Sequence, residues 1–237
     1  MTIPSSAIAE IMAQSGFDLV VIDLEHSSLS VAEAGELIRT IDLAGCSPVV
    51  RLSSNDPVQI KRLLDAGAEG IIVPMVTSLE DVERAASSMF YPPTGSRGVG
   101  LGRAQSYGPG FKEYFDDSKK KLTLIAQIEH KDALVNLDAI FGSGLVDGYI
   151  VGPYDLSCSL GVPGDFEDQE FRRSLECITR EGERHSVAGG LHVVEPDLEA
   201  MKQSILAGSR LMIHSVDFRI IDTVCRNAVQ YLKGDLA

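Results

Sequence analysis

Short apolar runs alternate with amphipathic stretches along most of this chain, and several of the apolar runs close on a charged residue. Strands are predicted over 19–23, 48–52, 70–75, 122–128, 149–151, 189–194 and 210–215, each a run too short and too apolar for an exposed helix. Helical spacing separates them. Ser5 or Ser6 caps a helix to Gln14 with Ile8, Ile11 and Met12 inward and Gly16 ending it, and Ser30 caps one that turns Leu37, Ile38 and Ile41 inward and stops at Gly45. Asp56-Pro57 opens a helix that ends at Gly67, and further helices are expected over 78–90, 132–141, 166–185, 197–207 and 218–232. Residues 91–121 break the pattern with Pro92, Pro93, Gly95 and a Gly-rich run from Gly98 to Gly102, and are expected to be irregular.

Seven strand and helix alternations imply a parallel sheet. In a chain of 237 residues they fit an α/β fold of the (β/α)8 TIM-barrel type, with an eighth strand cut off at the amino end; a doubly wound open sheet is the alternative. The barrel is preferred because Asp23, His26, Arg51, Glu129 and Asp155 all fall at or just past the carboxyl ends of different strands, and a closed ring brings them to one centre.

Composition narrows the setting. At 44% hydrophobic residues and with no linker, the chain is expected to form one domain over 1–237. A net charge of −13 argues against nucleic acid or an anionic membrane as partner, so an anionic substrate would need a cation or a few arginines within the site. Four scattered cysteines, Cys46, Cys158, Cys177 and Cys225, form no Cys-x-x-Cys pair and fit reduced thiols. Apolar runs fall short of the roughly 18 residues of a membrane span, and no signal-peptide pattern leads the chain, so the cytoplasm is the expected compartment.

Two apolar runs end on carboxylates, 122–128 on Glu129 and 149–151, after Gly152 and Pro153, on Asp155. Either alone is equally a solvated loop carboxylate or a helix cap. As a pair at strand ends they read as two oxygen ligands of one divalent cation of the magnesium or manganese type, which keeps positions for water and substrate. Asp23 and His26 share one turn, where the carboxylate is expected to orient the imidazole as a general base. Arg51 ends an apolar strand and is placed to meet a carboxylate or a developing oxyanion; a structural ion pair is the other reading. No lysine sits on a strand end except Lys131, which more naturally opens the helix after Glu129, so metal-assisted enolisation is preferred to an imine. The Gly98 to Gly102 run follows a Pro-rich loop instead of a strand and supports no nucleotide fingerprint. His130, His185, His192 and His214 show no metal-ligand spacing; His192, on a strand, carries no assigned role.

Six segments in order, Gly16-Phe-Asp-Leu-Val-Val-Ile-Asp-Leu-Glu-His26, Val49-Val-Arg51, Ile72-Val-Pro-Met-Val76, Tyr91-Pro-Pro-Thr-Gly-Ser-Arg-Gly98, Gln127-Ile-Glu129 and Gly152-Pro-Tyr-Asp-Leu-Ser157, resemble the HpcH/HpaI aldolase family, metal-dependent class II aldolases of 2-oxo acids. The resemblance implies a (β/α)8 barrel, Glu129 and Asp155 as metal ligands for magnesium or manganese, with cobalt a further option, Arg51 on the substrate's keto oxygen, His26 as base with Asp23 its partner, and Gln127 lining the pyruvate site. It also implies that backbone amides around Gly152 and Asp155 hold the substrate carboxylate, with Pro153 and Tyr154 among the substrate-binding residues. The expected reaction is cleavage of a 4-hydroxy-2-oxo acid to pyruvate and an aldehyde by a homo-trimer or homo-hexamer with exchanged terminal helices, in which Asp65 and the last helix lie at a subunit boundary. Alternatives are a metal-dependent lyase or decarboxylase on another 2-oxo acid, including a citrate-lyase-like acyl-coenzyme A lyase, and a non-catalytic binding barrel. The family usually has a complete strand before the equivalent of Ile3-Pro4-Ser5, where this chain almost begins, so a truncated first strand is expected.

Overall fold

A computed structural model describes residues 1–234. Seven strands, β1 (Leu19–Asp23), β2 (Ser47–Arg51), β3 (Gly70–Val73), β4 (Thr123–Ile128), β5 (Gly148–Val151), β6 (Ala188–Val193) and β7 (Ile213–His214), pair in sequence order, every pair parallel. Ten helices connect and flank them: α1 (Ser6–Gln14), α2 (Val31–Leu43), α3 (Pro57–Ala66), α4 (Leu79–Met89), α5 (Phe111–Lys121), α6 (Leu137–Gly142), α7 (Pro153–Ser159), α8 (Gln169–Arg184), α9 (Leu198–Leu206) and α10 (Asp217–Gly234). The helices start where side chains can accept the orphan amides of the first turn. Ser30 with Glu33 and Ser78 with Asp81 form capping boxes, and Asp56, Asp168 and Asp197 each accept two backbone N–H groups.

The sheet curls into an α/β half-barrel with two cores. Its outer face packs on the helices through Ile22, Val50, Ile71, Leu124, Phe141 and their neighbours. Its inner face holds Val49, Ile72, Ile125 and Ile150, with Leu19, Val21, Leu211 and Ile213 against them. Side chains alternate faces along a strand, so the residues two positions further on, Asp23, Arg51, Gln127, Gly152 and Ser215, rise above this inner layer at the carboxyl ends.

Seven strands, with an eighth cut off at the amino end, are expected from the sequence, and seven are present among the described residues. The slot beside β1 is taken by the first residues of the chain: Asp23 donates its backbone N–H to Met1 O at 3.0 Å, and the Met1 amine donates to Val21 O at 2.6 Å. Asp217, buried at the start of α10, accepts from Thr2 N and Ile3 N at 2.8 Å each and from Thr2 Oγ1 at 2.6 Å. Burial alone would raise the Asp217 carboxyl, but these donors hold it below its usual range. Asp217→Asn turns one acceptor oxygen into a donor facing backbone N–H groups, and is expected to cost about 2 kcal/mol at pH 7 in urea denaturation. A lowered folded pKa gives stability that is present above the unfolded value and lost as the pH falls, so the difference between the two proteins should shrink below about pH 4.

Four local expectations are corrected. Residues 91–121 are not irregular throughout: α5 covers 111–121, because Phe111, Tyr114 and Phe115 recur at helical spacing and all three pack on Tyr91, while Lys119, Lys120 and Lys121 suit a helix carboxyl end. Ile11 is 66% exposed, since α1 turns Ala9 and Ala13 to the sheet with Ile8 and Met12 beside them. The helix expected over 132–141 is split into a 3-10 turn at Lys131–Ala133 and α6, and Asn136 between them donates to Thr77 O at 2.8 Å. The last strand, expected over 210–215, has two residues.

Candidate active site

Four strand ends supply a buried polar layer. Arg51, closing β2, meets Asp23, closing β1, in a two-pronged pair: Nε to Oδ1 at 2.8 Å and Nη2 to Oδ2 at 2.5 Å. Its third nitrogen, Nη1, donates to Gln127 Oε1 at 3.3 Å, so the guanidinium is fixed in one plane. Gln127, in β4, turns its Nε2 to two carboxylates, Glu129 Oε2 at 2.5 Å and Glu25 Oε2 at 3.0 Å. The other Glu129 oxygen accepts from Met75 N at 2.7 Å, and Met75 holds a positive φ of 53° just past β3. A strained residue that aims its amide at a buried carboxylate is of the kind found at functional sites.

Above this layer lies a cavity of about 240 Å³, lined by Asp23, His26, Arg51, Glu129, the segment Gly152, Pro153, Tyr154 and Asp155, and also by His192, Val194 and Phe218. Every residue expected in the site is therefore at this mouth or, for Gln127, directly beneath it. One expected contact is absent. The Asp23 carboxylate takes the His26 backbone N–H at 3.3 Å and not its imidazole, because Arg51 occupies both oxygens. The nearest acid to the ring is Glu25, with Oε2 at 3.8 Å from Nε2, and the imidazole itself is 58% exposed at the rim. Glu25 and His192 belong to the site although no role was read for either in the sequence. Both obey the strand period: Glu25 lies two residues past Asp23, and His192 two past Gly190, which pairs with the inward Ile150.

Charge is unevenly compensated here. Burial pushes the Asp23 carboxyl up, and the hydrogen bonds and charge of Arg51 bring it below its usual range. Burial pushes Glu25 up despite Arg51 and Gln127. Glu129 is raised to about 7, chiefly by burial and then by the nearby Glu25, with Asp155 adding to the repulsion. Glu25, Glu129 and Asp155 thus crowd around one arginine, Arg51, which is paired two-pronged with Asp23 and lies with Nε 3.4 Å from Glu25 Oε2. A hard-oxygen donor set of this kind suits a divalent cation, and Glu129 with Asp155, in the first turn of α7, are the two acids that line the cavity itself with no guanidinium partner. A different trio, Asp138, Glu181 and His185, also brings ligand atoms within 4.8 Å of one another, on α6 and α8. There Arg184 contacts both carboxylates at 3.1 Å and His185 Nε2 meets Asp138 Oδ1 at 2.8 Å, which balances the cluster as an ion-pair network.

Gly152 is set by this packing. Its φ of −86° is open to any residue, but a Cβ there would lie 2.6 Å from Glu129 Oε2 and 3.1 Å from Glu129 Cβ. Gly152→Ala must displace a carboxylate held by Met75 and Gln127. The expected result is a 10- to 100-fold weaker affinity for added Mn²⁺ in calorimetric titration, with an unchanged melting temperature to within a few degrees.

The family model described as HpcH/HpaI aldolase/citrate lyase matches residues 3–217. A protein of Sagittula stellata named hydroxypyruvate/pyruvate aldolase is 34% identical over 223 residues, covering 94% of this chain and 87% of that protein. One of Klebsiella pneumoniae named 2-keto-3-deoxy-L-rhamnonate aldolase is 35% identical over 235 residues, covering 98% and 87%. Among solved structures, an HpcH/HpaI aldolase/citrate lyase family protein from Burkholderia cenocepacia superposes with a TM-score of 0.92 at 29% identity, covering 98% of this chain and 92% of that one.

Proposed function

We propose, since the chain belongs to the HpcH/HpaI aldolase/citrate lyase family, that it is a metal-dependent aldolase that cleaves a 4-hydroxy-2-oxo acid to pyruvate or a close relative of it and an aldehyde. The observation that carries this reading is the single cavity shared by Glu129, Asp155, Arg51 and His26. Glu129 and Asp155 would hold a divalent cation, magnesium or manganese and with cobalt a further option, which when bound supplies Lewis-acid polarisation of the keto group.

The chain's own residues supply the rest. The backbone amides of Tyr154 and Asp155, in the first turn of α7, take the substrate carboxylate. Arg51, locked by Asp23 and Gln127, faces the keto oxygen, where negative charge builds as the bond breaks; a donor fixed beforehand stabilises that charge without reorganising. His26 takes the proton of the C4 hydroxyl. The C4–O bond becomes a carbonyl, the C3–C4 electron pair moves into the C2–C3 enolate, and a proton taken up from water at C3 completes the keto acid. His26 is exposed enough at the rim to pass its proton to water, and Glu25 is the acid nearest to its ring. No lysine lines the cavity among the described residues, so an imine route has no nucleophile.

The wider setting of this reading is a closed (β/α)8-type barrel in which residues 1–3 lie beside β1, assembled as a homo-trimer or homo-hexamer in the cytoplasm. Supporting observations are that α9 buries none of its residues, that α10 exposes Phe218, Ile221, Val224, Tyr231 and Leu232, and that all four cysteines are free. No helix among the described residues is long and apolar enough to cross a membrane. The test is a pyruvate-release assay on 4-hydroxy-2-oxo acids with and without chelator. Release that disappears with chelator and returns with Mg²⁺ or Mn²⁺ supports the reading; metal binding without turnover of any such acid overturns it.

A further inference from the structure

Beneath the mouth cavity a second, smaller space of about 30 Å³ opens between the two inner layers. Its floor and walls are Val21, Ile72, Ile150 and Ile213 of the apolar layer with Met1 and Ser215 beside them, and Arg51, Asp23, His192 and Val216 border both this space and the mouth cavity. A water molecule needs roughly 10–15 Å³ of such space, so this recess has room for a hydroxyl or a methyl. Among its rim groups, Asp23 and Arg51 are consumed by each other, Arg51 further by Gln127 and Glu25, and Asp23 by the backbone N–H groups of Glu25 and His26. His192 is not.

The state of His192 follows from its partner. Its Nε2 lies 3.1 Å from Ser215 O, and a carbonyl only accepts, so Nε2 carries the hydrogen. Burial, with the Arg51 charge adding to it, lowers the imidazole to about 4, which leaves the ring neutral at neutral pH and Nδ1 a bare acceptor. Nδ1 has no hydrogen-bond partner among the described residues and is not among the sealed, unsatisfied atoms, whereas Nδ1 of the neighbouring His214 is. The His192 acceptor is therefore not sealed, and His192 borders both the recess and the mouth cavity.

We propose that His192 is a specificity-determining residue that selects 2-oxo acids with a hydroxyl on the carbon next to the keto group, taking that hydroxyl into the recess as a hydrogen-bond donor to Nδ1. This rests on the aldolase reading above, in which Arg51 faces the keto oxygen; the adjoining carbon then lies over the Arg51 and His192 rim. A methyl or bare methylene reaches the same recess but leaves Nδ1 without a donor once water is excluded. Discrimination of this kind comes from the polar group left unpaired by the wrong substrate. The preferred three-carbon partner is thus hydroxypyruvate over pyruvate, by about tenfold in kcat/KM for one neutral hydrogen bond at the upper end of its usual range.

The experiment is aldol addition to a fixed aldehyde such as glyceraldehyde, with Mg²⁺ present, comparing hydroxypyruvate and pyruvate as donors in the wild type, His192→Leu and His192→Gln. Leucine keeps the volume and removes the acceptor. Glutamine can still donate to Ser215 O and present its oxygen to the recess. The ratio of kcat/KM values should favour hydroxypyruvate in the wild type, fall about tenfold in His192→Leu, and be largely kept in His192→Gln; thermal-shift midpoints with each 2-oxo acid, measured without aldehyde, should follow the same order. Wild-type turnover with a ratio that His192→Leu leaves unmoved, while that variant melts as the wild type does, overturns the role of His192 and spares the aldolase reading. Absence of turnover with either donor overturns both.

Discussion

Glu129→Gln is expected to abolish tight Mn²⁺ binding and to lower kcat for 2-oxo acid release by at least about a thousandfold, while the melting temperature stays within a few degrees of the wild type. The size follows from what is removed. A fixed cation at a developing enolate is worth several kcal/mol, and each 1.36 kcal/mol is tenfold in rate. The fold is spared because the amide oxygen of glutamine can still accept from Met75 N, as Glu129 Oε1 does at 2.7 Å. The second oxygen becomes an NH₂ group facing Gln127 Nε2, which now donates to it at 2.5 Å, so Gln127 must turn away, and Arg51 Nη1 loses its partner at 3.3 Å. The change also removes a buried negative charge beside Glu25, which offsets part of any loss in stability. Two measurements decide the matter: Mn²⁺ titration followed by electron paramagnetic resonance, and single-turnover pyruvate release at saturating Mg²⁺. Full activity in this variant would remove Glu129 from the site.

How much of this was legible in the sequence depends on the range of the interaction. Strand ends were readable because Asp23, Arg51 and Glu129 each interrupt an apolar run at the point where a packed core would want another apolar side chain. Which of these groups pair was not readable. Asp23 is three residues from His26 and 28 from Arg51, yet Arg51 takes its carboxylate, because parallel pairing sets β1 and β2 in register at those two positions. Sequence proximity was the wrong guide to charge partners. Glu25 and His192 had a usable signal, the period of two carried one step past the strand end or through Gly190, but a side chain beyond the last ladder bond has no neighbour in the sequence that fixes its direction. The helix over 111–121 was hidden by the Pro and Gly residues that precede it; what makes it fold is the stacking of its aromatics on Tyr91, 20 or more positions away. Ile11 shows the same limit on a smaller scale, since α1 could present either of two adjoining faces and only the sheet decides which.

Arg51→Leu is expected to be the most destabilising change in the site, about 3–5 kcal/mol by urea denaturation at pH 7, and the loss should shrink as the pH falls, because the Asp23 contribution changes sign. The Asp23 and Arg51 side chains are 7% and 11% exposed, so removing the guanidinium strands a carboxylate where water reaches it poorly. In the wild type the folded Asp23 pKa lies below its unfolded value, since the Arg51 contacts outweigh the burial that would raise it. That difference gives stability that is present above the unfolded pKa near 3.8 and lost as the pH falls further. In Arg51→Leu only burial remains, aside from the backbone N–H groups of Glu25 and His26 at 2.9 and 3.3 Å, and the folded pKa moves above the unfolded one. The unfolded chain then releases its proton more readily than the folded one. Glu129 and Glu25, whose carboxyls burial raises, add a rise in stability toward acid that both proteins share, so the stranded Asp23 shows in the difference: the variant's deficit relative to the wild type should shrink as the pH drops from 7 toward 4. Asp23→Asn placed on Arg51→Leu should restore most of the loss at pH 7, because it removes the stranded charge, without restoring activity, because the proposed mechanism needs the Arg51 guanidinium at the keto oxygen. A double variant no more stable than Arg51→Leu alone would mean that the pair is held by something other than its charges.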